Sequence, residues 1–467
     1  MKIFDLIIIG GGAGAFGGAI RADELKANTA MINAGLPLGG TCVNVGCVPS
    51  KTLLYAGEIM HLVRNHGIPG IELAVKSFDF RKVVQDELAL VEKLRSEKYS
   101  KVLKNLEHLT FIEGRAKFAS PHEVQVNGET LRAQKFIIAA GSTATVPPIE
   151  GIRETGFVTH IEALALERQP KELIIIGGGP LGLEFSQMHS RFGTKVTLLK
   201  RSPSLYPTSE SELTERLAQV LIQEGISVKR GVRITRAWIE GKKKTVSFIL
   251  DGEEERVSAD EILLASGKIP NTAGLALDKA NVNIGLNQAI VVNEFLQTSH
   301  ADVFAVGDAA DLPLRLETTA GHEGTLAAEN ALTGSRKSID YDAVPYTIFT
   351  DPQLAGVGLT EEEQMKRFGT CMCHTVSFTD VPKAIITKRT EGLIKMAINP
   401  ETKQITGVHI LSPHAGEIVA QAMMLIKNKN TIDDVVETLP MFPTLSESIK
   451  LAALSFTKDI SKLSCCI

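Results

Sequence analysis

Cysteine is scarce in this chain, with six in 467 residues, too few for a fold stapled by disulfides. No sign of charge dominates either. Lys and Arg number 50 against 54 Asp and Glu, a net charge of −4, which argues against a nucleic-acid or polybasic membrane partner. No apolar run approaches the roughly 18 residues of a spanning helix, so an integral membrane protein is excluded. No low-complexity linker interrupts the chain. What is present is ordinary globular material, 44% hydrophobic and 22% charged, which excludes disorder. The length is about three times a ~150-residue domain and predicts two or three domains. The first residues have a Lys and an apolar stretch like a signal peptide, but Asp5 interrupts it, so a mature cytoplasmic N-terminus is expected.

Two segments resemble each other. Residues 3–9 are apolar and end in Gly10-Gly11-Gly12-Ala13-Gly14-Ala15; residues 172–176 are apolar and end in Gly177-Gly178-Gly179-Pro180-Leu181-Gly182. Each reads as a buried parallel strand, a glycine turn and a helix. One such turn is weak evidence, but two in the same strand–helix context point to two dinucleotide sites. Gly10 and Gly177 make the tight turn, and Gly12 and Gly179 let backbone approach a pyrophosphate. Ala15 and Gly182 let helix and strand pack closely, while the helix N-terminus holds phosphate through its free N–H groups. The second helix is expected at about 181–192, followed by a strand at 195–199.

The ends of the next strands differ from the usual acid that takes a ribose hydroxyl. After the second turn stand Lys200 and Arg201, which suit a 2′-phosphate and favour NADPH over NADH. After the first stands Asn33, whose amide bonds a hydroxyl more weakly than a carboxylate. Elsewhere the pattern predicts a long charged helix over 78–106 and short strands over 109–140 ending at Gly141. A hinge is expected at Pro147-Pro148, and a strand at 261–265 closing at Gly267. From about 346 an α+β pattern follows, with strands near 374–379, 393–398 and 405–411 and helices near 415–428 and 444–457. The expected fold class is α/β, with two Rossmann-like nucleotide-binding domains and a C-terminal α+β domain. The boundaries are 1–148 and 269–343 for the first nucleotide, 149–268 for the second, and 344–467 for the last domain.

The cysteines fall in three tight pairs. Cys42 and Cys47 lie in Gly39-Gly40-Thr41-Cys42-Val43-Asn44-Val45-Gly46-Cys47-Val48-Pro49-Ser50-Lys51. On a regular helix a five-residue step turns roughly 500° and rises about 7.5 Å. A disulfide needs Cα atoms within about 7 Å, so the turn must be distorted, and Gly46 and Pro49 supply the means. Strained disulfides are readily reduced. A structural zinc site would need more ligands than this segment offers.

With these residues the chain resembles the pyridine nucleotide–disulfide oxidoreductases from residue 3 to its C-terminus. A second matching segment is Thr298-Ser299-His300-Ala301-Asp302-Val303-Phe304-Ala305-Val306-Gly307-Asp308, similar to the family's second FAD signature. The resemblance implies that Asp308 bonds the FAD ribityl chain, that Cys47 lies next to the flavin and that Cys42 faces substrate. It implies a Lys51–Glu184 pair close to the flavin, and a helix opened by Ala320 and Gly321 whose positive end faces the pyrimidine ring. It also implies a homodimer in which the C-terminal domain of each subunit completes the other's site. The candidate cofactor residues are then Gly10, Gly12, Gly14, Ala15, Asn33, Gly40, Thr41, Lys51, Gly141, Asp308 and Ala320 for FAD. For NADPH they are Gly177, Gly179, Gly182, Lys200, Arg201 and Gly267.

Disulfide-reducing members use a C-terminal His, oriented by a Glu, as acid–base. Here Glu447 is present, but Phe442 stands where the His belongs and carries no proton. His414 and His322 are off the motif and are expected to be structural. The chain ends Ser464-Cys465-Cys466-Ile467, adjacent thiols suited to capturing a soft metal. These features resemble the mercuric reductases within the family and imply Hg(II), arriving as a thiolate complex, as substrate. Cys42, Cys47, Cys465 and Cys466 are then the expected metal ligands. Relatives carry tyrosines where Phe157 and Thr444 stand here, which puts hydroxyl-assisted metal binding in doubt. Many also carry an N-terminal heavy-metal-binding domain, expected to be absent because this chain opens on the FAD strand. Cys371 and Cys373 fall outside the family pattern and are expected in ordinary core or surface positions, although alternation on a strand could place both on one face. The rival readings are an NADPH-dependent reductase of a disulfide such as that of coenzyme A, and a metal-sequestering protein on a flavoprotein scaffold.

Overall fold

The computed structural model describes residues 2–464; Cys465 and Cys466 lie outside the described residues. The first apolar run forms the strand Lys2–Ile9, with Leu6, Ile7 and Ile8 fully buried. It is covered on both faces, which is why it reads as a continuous apolar run rather than an alternating one. Its sheet runs Leu109–Glu113, Thr29–Asn33, Lys2–Ile9, Glu129–Ile138, Glu123–Val126, Lys117–Ser120, with Val303–Ala305 beside the end of Glu129–Ile138. Strands next to Lys2–Ile9 are parallel, and the outer two form antiparallel hairpins. A strand from beyond residue 300 thus completes the first sheet.

The second sheet is wholly parallel, in the order Ser227–Arg230, Lys195–Lys200, Glu172–Ile176, Glu261–Leu264. An antiparallel sheet of Arg233–Glu240, Lys243–Leu250 and Glu253–Ala259 packs against it through Val246 and Phe248. The two units are joined where Ser142–Ala144 pairs with Lys268–Pro270, placing Gly141 and Gly267 at the crossing. The C-terminal region is a five-stranded antiparallel sheet, Tyr346–Ile348, Gln353–Gly358, Ile405–Ser412, Leu393–Ile398, Met372–Ser377, covered by the helices Ala415–Lys427 and Glu447–Leu454. A buried network ties it to the second unit. Arg191 pairs with Glu224 at 2.7 Å and with Asp351 at 3.0 Å.

The charged stretch over 78–106 forms the helix Phe80–Arg95, capped by Asp79, and continues through a wider turn to Lys104. Its inner face is Phe80, Val84, Glu87 and Val91, at three- and four-residue spacing, and Phe80 and Val84 share a core with Leu53. Glu87 is fully buried, and neither carboxylate oxygen has a hydrogen-bond partner among the described residues. Burial pushes its carboxyl from 4.5 up to about 7. The folded chain therefore keeps a proton that the unfolded chain releases above pH 4.5, and stability falls as pH rises through that window. The loss is about 3 kcal/mol at 1.36 kcal/mol per unit. Thermal unfolding between pH 4.5 and 8 is expected to show a flatter decline in Tm for Glu87→Gln than for wild type. Identical slopes would show that Glu87 is ionised in the fold.

Candidate active site

The glycine turns are dictated by contact distance. Gly10 has φ +139°, and a Cβ there would sit 2.1 Å from the Ala139 carbonyl oxygen. Gly177 repeats this at φ +116°, with the Ala265 carbonyl oxygen 2.2 Å from such a Cβ. A Cβ at Gly182 would lie 1.9 Å from the Gly177 oxygen, so only glycine lets that helix meet its strand. Nothing lies within 4 Å of a Cβ at Gly179, and at Gly12 only the Gly40 Cα does, at 3.7 Å. Gly12 and Gly179 also cap the helices Ala13–Glu24 and Pro180–Phe192. Bare backbone at a helix start on both sheets fits the pyrophosphate of a dinucleotide. Gly14 and Ala15 divide the packing of the first helix. Gly14 lies against Val306 and the Ala320 carbonyl, whereas Ala15 is buried among Leu6, Ile8 and Met31.

Asn33 ends the strand Thr29–Asn33, and its amide nitrogen donates to the Leu36 carbonyl at 3.0 Å. Its oxygen accepts no hydrogen bond from the described residues. Lys200 ends the strand Lys195–Lys200 with its stem laid over Gly178. Burial, then the neighbouring Arg201, hold its ammonium below its ordinary pKa. Asp308 follows Val303–Ala305 and accepts a hydrogen bond from Ser142. The helix that follows begins at Glu317, a turn earlier than at Ala320, because Thr319 folds back to bond both the N–H and the carbonyl of Leu316. Ala320 accordingly lies within the first turn instead of opening it.

Cys42 stands in the helix Gly40–Val45 and Cys47 opens the helix Cys47–Asn65. Between them Gly46 breaks the path. A Cβ there would be 2.9 Å from the Thr41 oxygen and 3.2 Å from the Cys42 Cα. The chain folds back on itself at that point, and Pro49 is accommodated in the first turn beyond. Asn44 fastens the turn by donating to the carbonyls of Pro37, Leu38 and Gly40, while accepting from Arg95 at 3.1 Å. The Cys42 and Cys47 sulfurs and a Glu317 carboxylate oxygen all lie within 4.8 Å of one another.

Lys51, one turn beyond Cys47, donates to Glu184 at 2.9 Å. The other Glu184 oxygen accepts from the Phe349 N–H at 2.8 Å, and the Lys51 ammonium lies 4.6 Å from the Phe349 ring centre. Close packing pushes the Cys47 thiol up, the Lys51 cation pulls it down, and the Glu184 carboxylate raises it again.

The sequence model for Pyridine nucleotide-disulphide oxidoreductase matches residues 4–331, and that for the dimerisation domain of the same proteins matches residues 344–453. The chain belongs to this family. The mercuric reductase of Lysinibacillus sphaericus is 38% identical over 99% of this chain and 84% of that protein. That of Streptomyces lividans is 35% identical over 99% and 98%. The dihydrolipoyl dehydrogenase of Thermus scotoductus is 37% identical over 98% of each chain. Among solved structures, the Cu(II) complex of the HOCl-induced flavoprotein disulfide reductase RclA from Escherichia coli matches at 25% identity with a TM-score of 0.86, over 98% of this chain and 100% of that one. As a member of this oxidoreductase family the chain depends on a flavin and a pyridine nucleotide, and it carries the family's dimerisation domain. No described helix is long and apolar enough to cross a membrane.

Against that family pattern, Phe442 is exposed, whereas Glu447 is buried with one oxygen unpartnered among the described residues. Burial raises the Glu447 carboxyl. His414 is the left-handed residue before the helix Ala415–Lys427, and His322 lies inside the helix Glu317–Thr333. Phe157 packs on the core of the second sheet, and the Thr444 hydroxyl donates to the Met441 carbonyl at 2.9 Å. The Cys371 and Cys373 sulfurs are brought against each other at the start of the edge strand Met372–Ser377, as alternation on a strand allows. Sequence reasoning also missed Asn44, Tyr99 and Glu317. The Tyr99 hydroxyl donates to Glu317 at 3.3 Å, and Cys47 donates to the other oxygen at 3.5 Å.

The charges around Cys47 give a test of opposite signs. Lys51→Met is expected to raise the pH midpoint of Cys47 alkylation, and Glu184→Gln to lower it. Shifts in the same direction would show that the pair acts on Cys47 through structure rather than through charge.

Proposed function

We propose that this chain is an NADPH-dependent mercury(II) reductase acting as a homodimer. The observation that carries the reading is a reachable thiol pair, Cys42 and Cys47, with no protonatable side chain at position 442. Disulfide reduction needs a proton delivered to the departing thiolate. Reduction of a thiolate-bound metal ion needs only electrons at the metal, so Phe442 is no handicap. The identities of the Lysinibacillus and Streptomyces mercuric reductases support the same reading.

In this reading residues 1–148 and 269–343 hold FAD through Gly10, Gly12, Gly14, Ala15, Asn33, Gly40, Thr41, Lys51, Gly141, Asp308 and Ala320. Residues 149–268 hold NADPH through Gly177, Gly179, Gly182, Lys200, Arg201 and Gly267. Residues 344–467 pair the subunits. FAD, when bound, supplies the two-electron carrier between nicotinamide and dithiol. Lys51 keeps a positive charge beside Cys47 and favours its thiolate, while Glu184 fixes where that charge sits. Lys200 and Arg201 take the 2′-phosphate.

Hg(II) bound to two thiolates is passed to Cys465 and Cys466 of the partner subunit and then to Cys42 and Cys47. Each new metal–sulfur bond replaces an equivalent one and each displaced thiolate takes up the proton released, so every transfer is close to isoenergetic. Soft thiolates select such an ion. For the bis-thiolate complex the net reaction is NADPH plus Hg(SR)2 plus a proton giving NADP⁺, Hg(0) and two thiols. The alternative, a reductase of small disulfides, draws on the likeness to the Thermus dehydrogenase and uses the same thiols, but it lacks the acid at position 442.

NADPH oxidation with Hg(II) and excess thiol is expected to release volatile mercury. Oxidation with disulfides but not with Hg(II) would favour the alternative. Replacing Cys465 and Cys466 by Ala is expected to cripple turnover of tightly thiol-bound Hg(II) while leaving reduction of bound flavin by NADPH intact; unchanged turnover removes that pair from the mechanism. Lys200→Glu is expected to shift the NADPH-to-NADH ratio of kcat/KM by about tenfold or more, the worth of one charge-assisted contact. An unchanged ratio places the 2′-phosphate elsewhere.

A further inference from the structure

Glu317 is not required by the electron relay, yet its carboxylate is aimed at the thiols. It belongs to the first turn of the helix Glu317–Thr333, remote in sequence from the redox turn. Its Oε2 lies 3.5 Å from the Cys47 sulfur, and a carboxylate oxygen lies within 4.8 Å of both sulfurs. Its Oε1 is held by the Tyr99 hydroxyl at 3.3 Å, and the Tyr99 ring is fixed edge-on against Phe16 with centroids 5.0 Å apart. A ligand carboxylate oriented by an outer hydrogen bond is the usual support of a metal site.

The spacing suits one geometry. With metal–sulfur and metal–oxygen bonds of about 2.3 and 2.1 Å, tetrahedral coordination separates sulfur from oxygen by about 3.6 Å. The observed separation is 3.5 Å. Two thiolates and a carboxylate leave a fourth position for water, the ligand set of a borderline ion such as Zn(II) rather than of a soft ion content with sulfur alone.

We propose that Glu317 turns the reduced Cys42–Cys47 dithiol into a three-ligand site for a borderline divalent cation. The inference rests on the reading of these thiols as the redox pair. Binding displaces one proton from each thiol and forms two metal–sulfur bonds and one metal–oxygen bond, with no change of oxidation state. Zn(II) has no redox chemistry, so it cannot be released as the metal. It occupies the thiols that Hg(II) needs, and is a reversible dead-end inhibitor removed by a chelator.

The test uses the FAD-loaded protein, reduced anaerobically with NADPH and exposed to buffered free Zn(II). Alkylation of Cys42 and Cys47 is read peptide by peptide, which separates this site from the other cysteines. Zn(II) is expected to protect both thiols in wild type, with Glu317→Gln needing about tenfold or more free Zn(II) for half-protection. An unmoved half-point in a flavin-containing Glu317→Gln overturns the proposal, as does failure to protect wild type. Should Glu317→Gln lose its flavin, Tyr99→Phe takes its place; an expected shift of about tenfold supports the proposal, and an unmoved half-point overturns it. Mercury release is measured on the same wild-type preparation. Zn(II) protection without mercury release sinks the reductase reading alone, and mercury release without protection sinks the zinc site alone.

Discussion

The site depends on steric exclusion, on backbone passing backbone at distances that no Cβ tolerates. At Gly10 and Gly177 a strand end turns over the carbonyl of a neighbouring segment, leaving the following helix start bare. At Gly46 the chain doubles back onto Thr41 and Cys42, which brings two sulfurs together across a helix break. Gly40, at φ +60°, rests on Gly12, so the first nucleotide turn and the redox turn are in direct backbone contact. Electrostatics acts within this frame. Lys51 and Glu184 adjust the affinity of Cys47 for its proton, but the glycines decide that there is a thiol pair to adjust.

The sites most legible in the sequence are those where composition and geometry coincide. A glycine that must lack a Cβ is visible as a glycine, and a strand covered on both faces is visible as an unbroken apolar run, so both nucleotide turns and the redox turn could be placed from the residues. Cations at 200 and 201 were equally open to reading, since the end of that strand follows from the turn before it. Asn44 was within the redox turn but silent, because its three bonds to backbone carbonyls carry no spacing signature.

Glu317 and Tyr99 were not legible for a different reason. Glu317 reaches Cys47 because the helices Ala13–Glu24 and Glu317–Thr333 pack along a seam of Gly14, Gly17 and Gly324, and Tyr99 reaches Glu317 from the turn after Phe80–Arg95. No local pattern reports which face of the second helix meets the redox turn. The start of that helix was displaced for a similar reason, Thr319 having formed its own cap at Leu316. The antiparallel strands over 233–259 escaped notice because their alternation is weak and their outer faces are charged.

Glu184 has one further implication. It belongs to the second nucleotide unit, yet one of its oxygens holds Lys51 of the first and the other holds the backbone of Phe349 in the C-terminal region. The nucleotide unit is therefore not an interchangeable module. A foreign unit grafted in over this segment with the same turn but without a carboxylate at this position would lose a group bonded to both the redox helix and the Phe349 backbone.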